Sequence, residues 1–162
     1  MNKSKSKRVL VRILGVAAFG AIATGIAWAT PPSGVSTVML NAGPAFLPDG
    51  VKLKSIADGH HVEFKIWGDS DVYVVENTIV PGGHTGWHQH PGVSVISVKS
   101  GVATEYHPDA PTVGHVYAAG SAFAEDAGEP HLIRNEGTTN LVLVAFQVIP
   151  RGATRRIDMP AP

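Results

Sequence analysis

The chain contains no cysteine. That absence excludes disulfides, thiolate metal sites, a cysteine nucleophile and a cysteine-linked lipid anchor. Charge is scarce as well. Charged residues make up 16% of the chain against 44% hydrophobic ones, which excludes a disordered polar chain. Positive charge is not in excess. Five of the thirteen basic residues (Lys3, Lys5, Lys7, Arg8, Arg12) fall in the first twelve positions. The remainder carries eight basic and thirteen acidic residues, a net of −5. Such a balance lacks the clustered Lys and Arg that neutralise phosphates, so nucleic acid is excluded as a partner. No Gly-x-Ser-x-Gly elbow and no phosphate-binding loop is present. No stretch after residue 30 has a helical period, and no internal repeat occurs.

The N-terminus has the three parts of an export signal. Met1 to Arg12 is basic and free of acid, and Ile13 to Trp28 is a sixteen-residue apolar run. Ala27-Trp28-Ala29 then places small residues where a signal peptidase reads them. The run is shorter than the roughly 20 residues of a membrane span. The expectation is a mature chain from Thr30, working in the periplasm or outside the cell. The alternative is an uncleaved segment that anchors the protein to the membrane.

The chain beyond Ala29 reads as all-β. Short β-rich runs recur: Val35–Leu40, Val51–Ile56, His61–Trp67, Val72–Val80, Val93–Val98, Val102–Tyr106, His115–Ala118, His131–Asn135 and Leu141–Ile149. Breakers such as Pro48-Asp49-Gly50, Pro81-Gly82-Gly83 and Asn135-Glu136-Gly137 divide them. That spacing predicts a sandwich or barrel. The 18 glycines and 12 prolines are spread along the chain, so no linker divides it. The tail after Pro150 is polar and closes with prolines, which predicts a partly mobile end. Its Arg151, Arg155 and Arg156 read as a solvated basic patch.

The segment Pro81 to Gly101 carries the chemistry. His88 and His90 are two apart, so on a strand both imidazoles face one side. Two converging neutral imidazoles begin a metal site. Gly82, five residues, His88, one residue, His90 and then Gly101 form one pattern. Gly120, five residues, Asp126, one residue, Gly128, two residues, His131, three residues and Asn135 form a second.

In these two motifs the chain resembles a single-domain bacterial cupin of the RmlC-like class, over Val72 to about Ile149. The resemblance implies a double-stranded β-helix, a jelly-roll barrel. On that reading residues 1–29 are signal peptide and 30–50 linker and N-terminal strand. Residues 51–150 are the cupin barrel and 151–162 a C-terminal tail. It also implies that His88, His90 and His131 bind one metal ion. Gly82, Gly101, Gly120 and Gly128 mark turns that need positive φ or close approach. Asn135 is a turn or strand-end residue.

The chain departs from the family at Ser94, where the first motif normally has glutamate. A serine is a poor ligand, so the site is expected to hold three histidines and no carboxylate. That disfavours hard ions such as Mn and leaves Fe, Cu, Ni or Zn. Glu125, Asp126 and Glu129 lie near His131 in sequence and read as solvated turn charges, though each is a substitute carboxylate in principle. His84 belongs at the pocket mouth. His60, His61, His107 and His115 read as exposed or hydrogen-bonded. Trp67 and Trp87 read as packing residues, with Trp87 facing away from the metal. Val93, Val95, Ile96, Val98, Leu132, Ile133 and Phe146 read as barrel core.

The leading function is a metal-binding protein acting on a small molecule, dioxygenase-like if it is an enzyme, with the substrate or O2 in open metal positions. The first alternative is an exported, non-catalytic module that binds a small ligand. The second is a metal-independent isomerase or epimerase using His84 with Glu105 or Tyr106 as acid and base. Family habit implies a homodimer.

Overall fold

A computed structural model describes residues 29–162. The expected signal segment falls outside them except for Ala29. Thirteen strands follow one another with no helix among the described residues. They are β1 (Ser33–Met39), β2 (Ala45–Leu47), β3 (Lys52–Ala57), β4 (His60–Lys65), β5 (Ser70–His84), β6 (His88–Gln89) and β7 (Val93–Ser100). Then come β8 (Val102–Tyr106), β9 (His115–Ala118), β10 (Ala122–Glu125), β11 (Leu132–Arg134), β12 (Leu141–Pro150) and β13 (Ile157–Asp158). Nine of them form one antiparallel sheet, in the order β10-β7-β12-β5-β11-β8-β9, with β1 and β2 added alongside β5. The sheet curls into a barrel, as the all-β jelly-roll expectation requires. β3 and β4 form a separate hairpin.

The long pairings of β12 with β5 and β7 set the interior in layers. Ala145 lies opposite both Ile96 and Val75, and Phe123 lies opposite Ile96. Their side chains share the inward face, because paired residues project on the same side. Leu141, Leu143, Ile79, Val98, Ala103 and Ile133 extend this apolar core. Burying each large aliphatic chain contributes about 1.5–3 kcal/mol. One register step along, the composition changes. Gln147 lies opposite Ser94, which lies opposite Glu125. This polar layer is buried too, and it floors the functional site.

Several expectations are corrected here. Alternation on β7 turns Ser94, Ile96 and Val98 inward and leaves Val93 and Val95 exposed. Phe146 is likewise outside, between inward Ala145 and Gln147. Leu132 is half-buried at the surface. Apolar identity alone gave no face; the pleat does. Trp67 is 74% exposed rather than packed, with Lys52 Nζ 5.2 Å from its ring centroid. Pro81-Gly82-Gly83 does not end its strand. Gly82, at φ +76°, kinks β5 and the chain stays extended to His84, which pairs with Ser33 and Arg134. The register against β1 slips at this point, as at a bulge.

The tail is not loose. β13 pairs with β6, Met159 N–H donates to Trp87 O at 2.9 Å, and Thr30 N–H donates to Met159 O at 3.1 Å. Gly101 fills the role expected of it. It has φ +78°, and a Cβ there would meet Asn140 O at 2.8 Å. Asn135 is a fully buried turn clamp. Its Nδ2 donates to Ile79 O and Thr139 O, both at 2.8 Å, and its Oδ1 accepts from Gly137 N–H.

Candidate metal centre

His88 sits on β6 and His90 just beyond it, so the pleat aims both inward, and Trp87 turns outward. His131 precedes β11 and is tied to His88 by a reciprocal bridge. His88 N–H donates to His131 O at 3.0 Å and His131 N–H to His88 O at 2.8 Å. The turn leading into His131 is held by Gly128, at φ +75°, whose N–H donates to His90 O at 2.8 Å. All three histidines are buried, His131 completely. One nitrogen from each lies within 4.8 Å of the others. The ring centroids are 4.3 Å apart for His88 and His131, and 5.0 Å for His88 and His90.

The tautomers follow from the partners. His88 Nδ1 lies 2.9 Å from Gly86 O, His90 Nδ1 2.6 Å from Arg155 O, and His131 Nδ1 2.9 Å from Glu129 O. A carbonyl can only accept, so each Nδ1 carries hydrogen and each neutral ring keeps its lone pair on Nε2. That is the arrangement in which outer partners orient imidazole ligands. Burial, with the repulsion a proton here would meet from charge on His131, Arg156 and His90, pushes His88 down to about 2. Burial also lowers His90, outweighing the Arg155 carbonyl and Glu125. Both rings are therefore neutral at physiological pH, the form that binds metal. Burial would lower His131 as well, but the hydrogen bond and charge of Glu125 outweigh it and raise it.

Glu125 is the residue that sequence reasoning placed in solvent. It is 6% exposed, whereas Asp126 and Glu129 are exposed as expected. Its Oε1 lies 3.1 Å from His131 Nε2 and its Oε2 3.7 Å from His90 Nε2. Burial raises its pKa, but His131, His90 and Ser94 outweigh that and hold it below its ordinary value. Gln147 was missed altogether. Its Nε2 donates to Ser94 Oγ at 2.9 Å and lies 3.3 Å from His90 Nε2. The inward alternation Leu141, Leu143, Ala145, Gln147 was the available signal.

His88 and His90 open on a cavity of about 140 Å³, with Glu125 and Gln147 also in its lining. Its walls are apolar at Ile96, Ile133, Leu143 and Ala145 and basic at Arg155 and Arg156. Neither arginine is the solvated patch expected; both are half-buried. Arg155 Nη1 donates to the neutral Gln147 Oε1 at 2.8 Å. Arg156 donates to Asp158 Oδ1 and to Thr85 O, both at 2.7 Å.

Of the acid/base set expected for an isomerase, His84 and Tyr106 come to one cavity and Glu105 does not. His84 and Tyr106 line a surface cavity of about 460 Å³ on the other side of the wall. Glu105, next along β8, is buried beside His107 at 3.6 Å. His60, His61 and His115 are exposed.

The donor set fits a divalent transition metal. Three imidazoles with fixed tautomers converge, and the buried His131 Nε2 finds no hydrogen-bond donor.

Residues 75–147 match the family model described as Cupin domain. No curated protein matches the chain. Among solved structures, a cupin domain from Bordetella pertussis is 24% identical, with 62% of this chain and 94% of that one covered and a TM-score of 0.43. A cupin-like protein from Thermotoga maritima is 16% identical, with 58% and 78% covered and a TM-score of 0.48. The polyketide cyclase RemF from Streptomyces resistomycificus is 22% identical, with 54% and 61% covered and a TM-score of 0.46.

Proposed function

The chain belongs to the cupin superfamily, and from that premise we propose that it is an exported, metal-dependent enzyme acting on a small anionic molecule, with His88, His90 and His131 as metal ligands. One observation carries the reading. Each ring sets its Nδ1 against a backbone carbonyl, which leaves Nε2 as the ligand atom of the neutral ring, and the three rings converge in a buried cluster. A bound Fe, Cu, Ni or Zn ion would supply Lewis-acid or oxygen-activating chemistry, so a dioxygenase-like reaction is the class proposed.

The chain's own residues select the substrate. A cavity of 140 Å³ is close to the roughly 150 Å³ that holds one benzene ring. The aliphatic wall suits an apolar body. Arg155 and Arg156 supply donors for a carboxylate or similar anion. Arg155 has a neutral amide as its side-chain partner, which leaves its charge free for a ligand. The basic segment, apolar run and Ala27-Trp28-Ala29 support export.

The test is metal content per chain in untagged protein, by elemental analysis, beside His131→Ala. About one equivalent, lost in the variant, is the expected result. Oxygen consumption with small aromatic and aliphatic acids is then measured. No metal after incubation with Fe(II), Cu(II), Ni(II) and Zn(II) would overturn the metalloprotein reading. Metal and ligand binding without turnover would leave a binding module instead.

A further inference from the structure

Ser94 occupies the position where the cupin motif has its glutamate, and its short hydroxyl leaves the histidines without an anionic partner. The barrel provides one from the next strand. Glu125 on β10 lies directly opposite Ser94 on β7. A cross-strand pair projects to one face, so the two side chains enter the interior side by side. Glutamate has the longer reach of the two. Its carboxylate is buried, 3.1 Å from His131 Nε2 and 3.7 Å from His90 Nε2.

Those two nitrogens belong to rings whose Nδ1 already donates elsewhere. A neutral ring therefore turns a lone pair toward an anionic oxygen. Lone pair against lone pair at 3.1 Å is repulsive, so a proton or a cation has to lie between them. Metal bonds of about 2.1 Å meeting at tetrahedral or octahedral angles set neighbouring donor atoms roughly 3.0–3.4 Å apart. The first separation falls in that range and the second lies just beyond it. Ser94 and Gln147 pack against the same place, with Gln147 Nε2 donating to Ser94 Oγ at 2.9 Å.

We propose that Glu125 is a metal ligand, replacing across the β7–β10 pair the carboxylate that Ser94 lacks. The inference rests on the reading of His88, His90 and His131 as ligands. It replaces a donor set of three imidazoles by three imidazoles and one carboxylate. The added oxygen and negative charge bring Mn(II) back among the ions the site accepts, and favour Fe(II) over softer ions.

The test uses the full chain freed of metal by a chelator. Mn(II) binding is followed by loss of the free-ion EPR signal, and Zn(II) binding by competition with a chelating dye. The proteins are wild type, His131→Ala, Glu125→Gln and the double variant Ser94→Glu with Glu125→Ser, each checked for folding by its thermal transition. Wild type is expected to take up one Mn(II). Glu125→Gln weakens Mn(II) at least tenfold and Zn(II) less. The double variant, which returns the carboxylate to position 94, recovers Mn(II) binding to within a few-fold. It carries the test if Glu125→Gln does not fold. Unchanged Mn(II) affinity in Glu125→Gln, or no recovery in a folded double variant, overturns the inference. If His131→Ala still abolishes Zn(II) binding, the three-histidine reading survives that result. A wild type that binds neither ion removes both.

Discussion

His88 shows how a single buried ring couples the site to stability. The unfolded chain takes up a proton at this histidine below about pH 6.5. The folded chain, with His88 held at about 2 by burial and by the repulsion a proton would meet from neighbouring charge, does not. A depressed folded pKa contributes stability that is present above the unfolded value and lost as pH falls below it. His90 acts in the same direction. His131, raised by Glu125 against the effect of burial, acts oppositely, its contribution fading as pH rises. Two rings against one give a net acid sensitivity. The metal-free protein should lose melting temperature steadily from pH 7 to pH 5, and His88→Leu should flatten that slope. A wild-type melting temperature that rises on acidification would contradict the argument. Residue identity reached far at this scale. His88, His90 and His131 stand out by spacing, because β periodicity and motif order are linear properties. Glu125 does not, because its meaning comes from the residue opposite it on another strand.

At the scale of elements, the C-terminal segment is the decisive piece. It reads as a loose basic tail, yet it closes one side of the site. Arg155 contributes its carbonyl to His90 Nδ1 and its guanidinium to Gln147, while β13 locks onto β6. Deleting residues 151–162 removes the acceptor that fixes the His90 tautomer. Losing such an outer partner typically costs 10–100-fold in metal affinity, and that range is expected for the truncated chain in a Zn(II) titration. Affinity equal to wild type would show that the tail only covers the site. Four short strands, β2, β6, β10 and β13, escaped the sequence patterns. Ala122–Glu125 illustrates why: it is four residues long, has no β-branched residue and ends on a carboxylate. Such a strand is held by its neighbour's register rather than by its own propensity.

At the scale of the whole molecule, the start of the described chain, where the proposed signal would end, is tied to the C-terminal segment. Ala29 bridges to Pro160, and Thr30 N–H is bonded to Met159 O. Cleavage after Ala29 should leave Thr30 as the first residue of protein recovered from the periplasm or medium. Intact mass and N-terminal sequencing read this directly. A retained Met1 in the membrane fraction would mean an uncleaved anchor instead.

The sequence by itself determined the all-β class, the two cupin motifs and the three histidines. These rest on alternation, turn glycines and spacing, all of which act over a few neighbouring residues. Only the tertiary structure decided which side of β7 faces in, where Glu125 and Gln147 point, and that Arg155 and Arg156 line the cavity. Those outcomes depend on register between strands far apart in the chain. Sliding a pairing by one residue exchanges inside for outside at every position. No local pattern around Ser94, Glu125 or Gln147 encodes that they form one buried row; the barrel closure does.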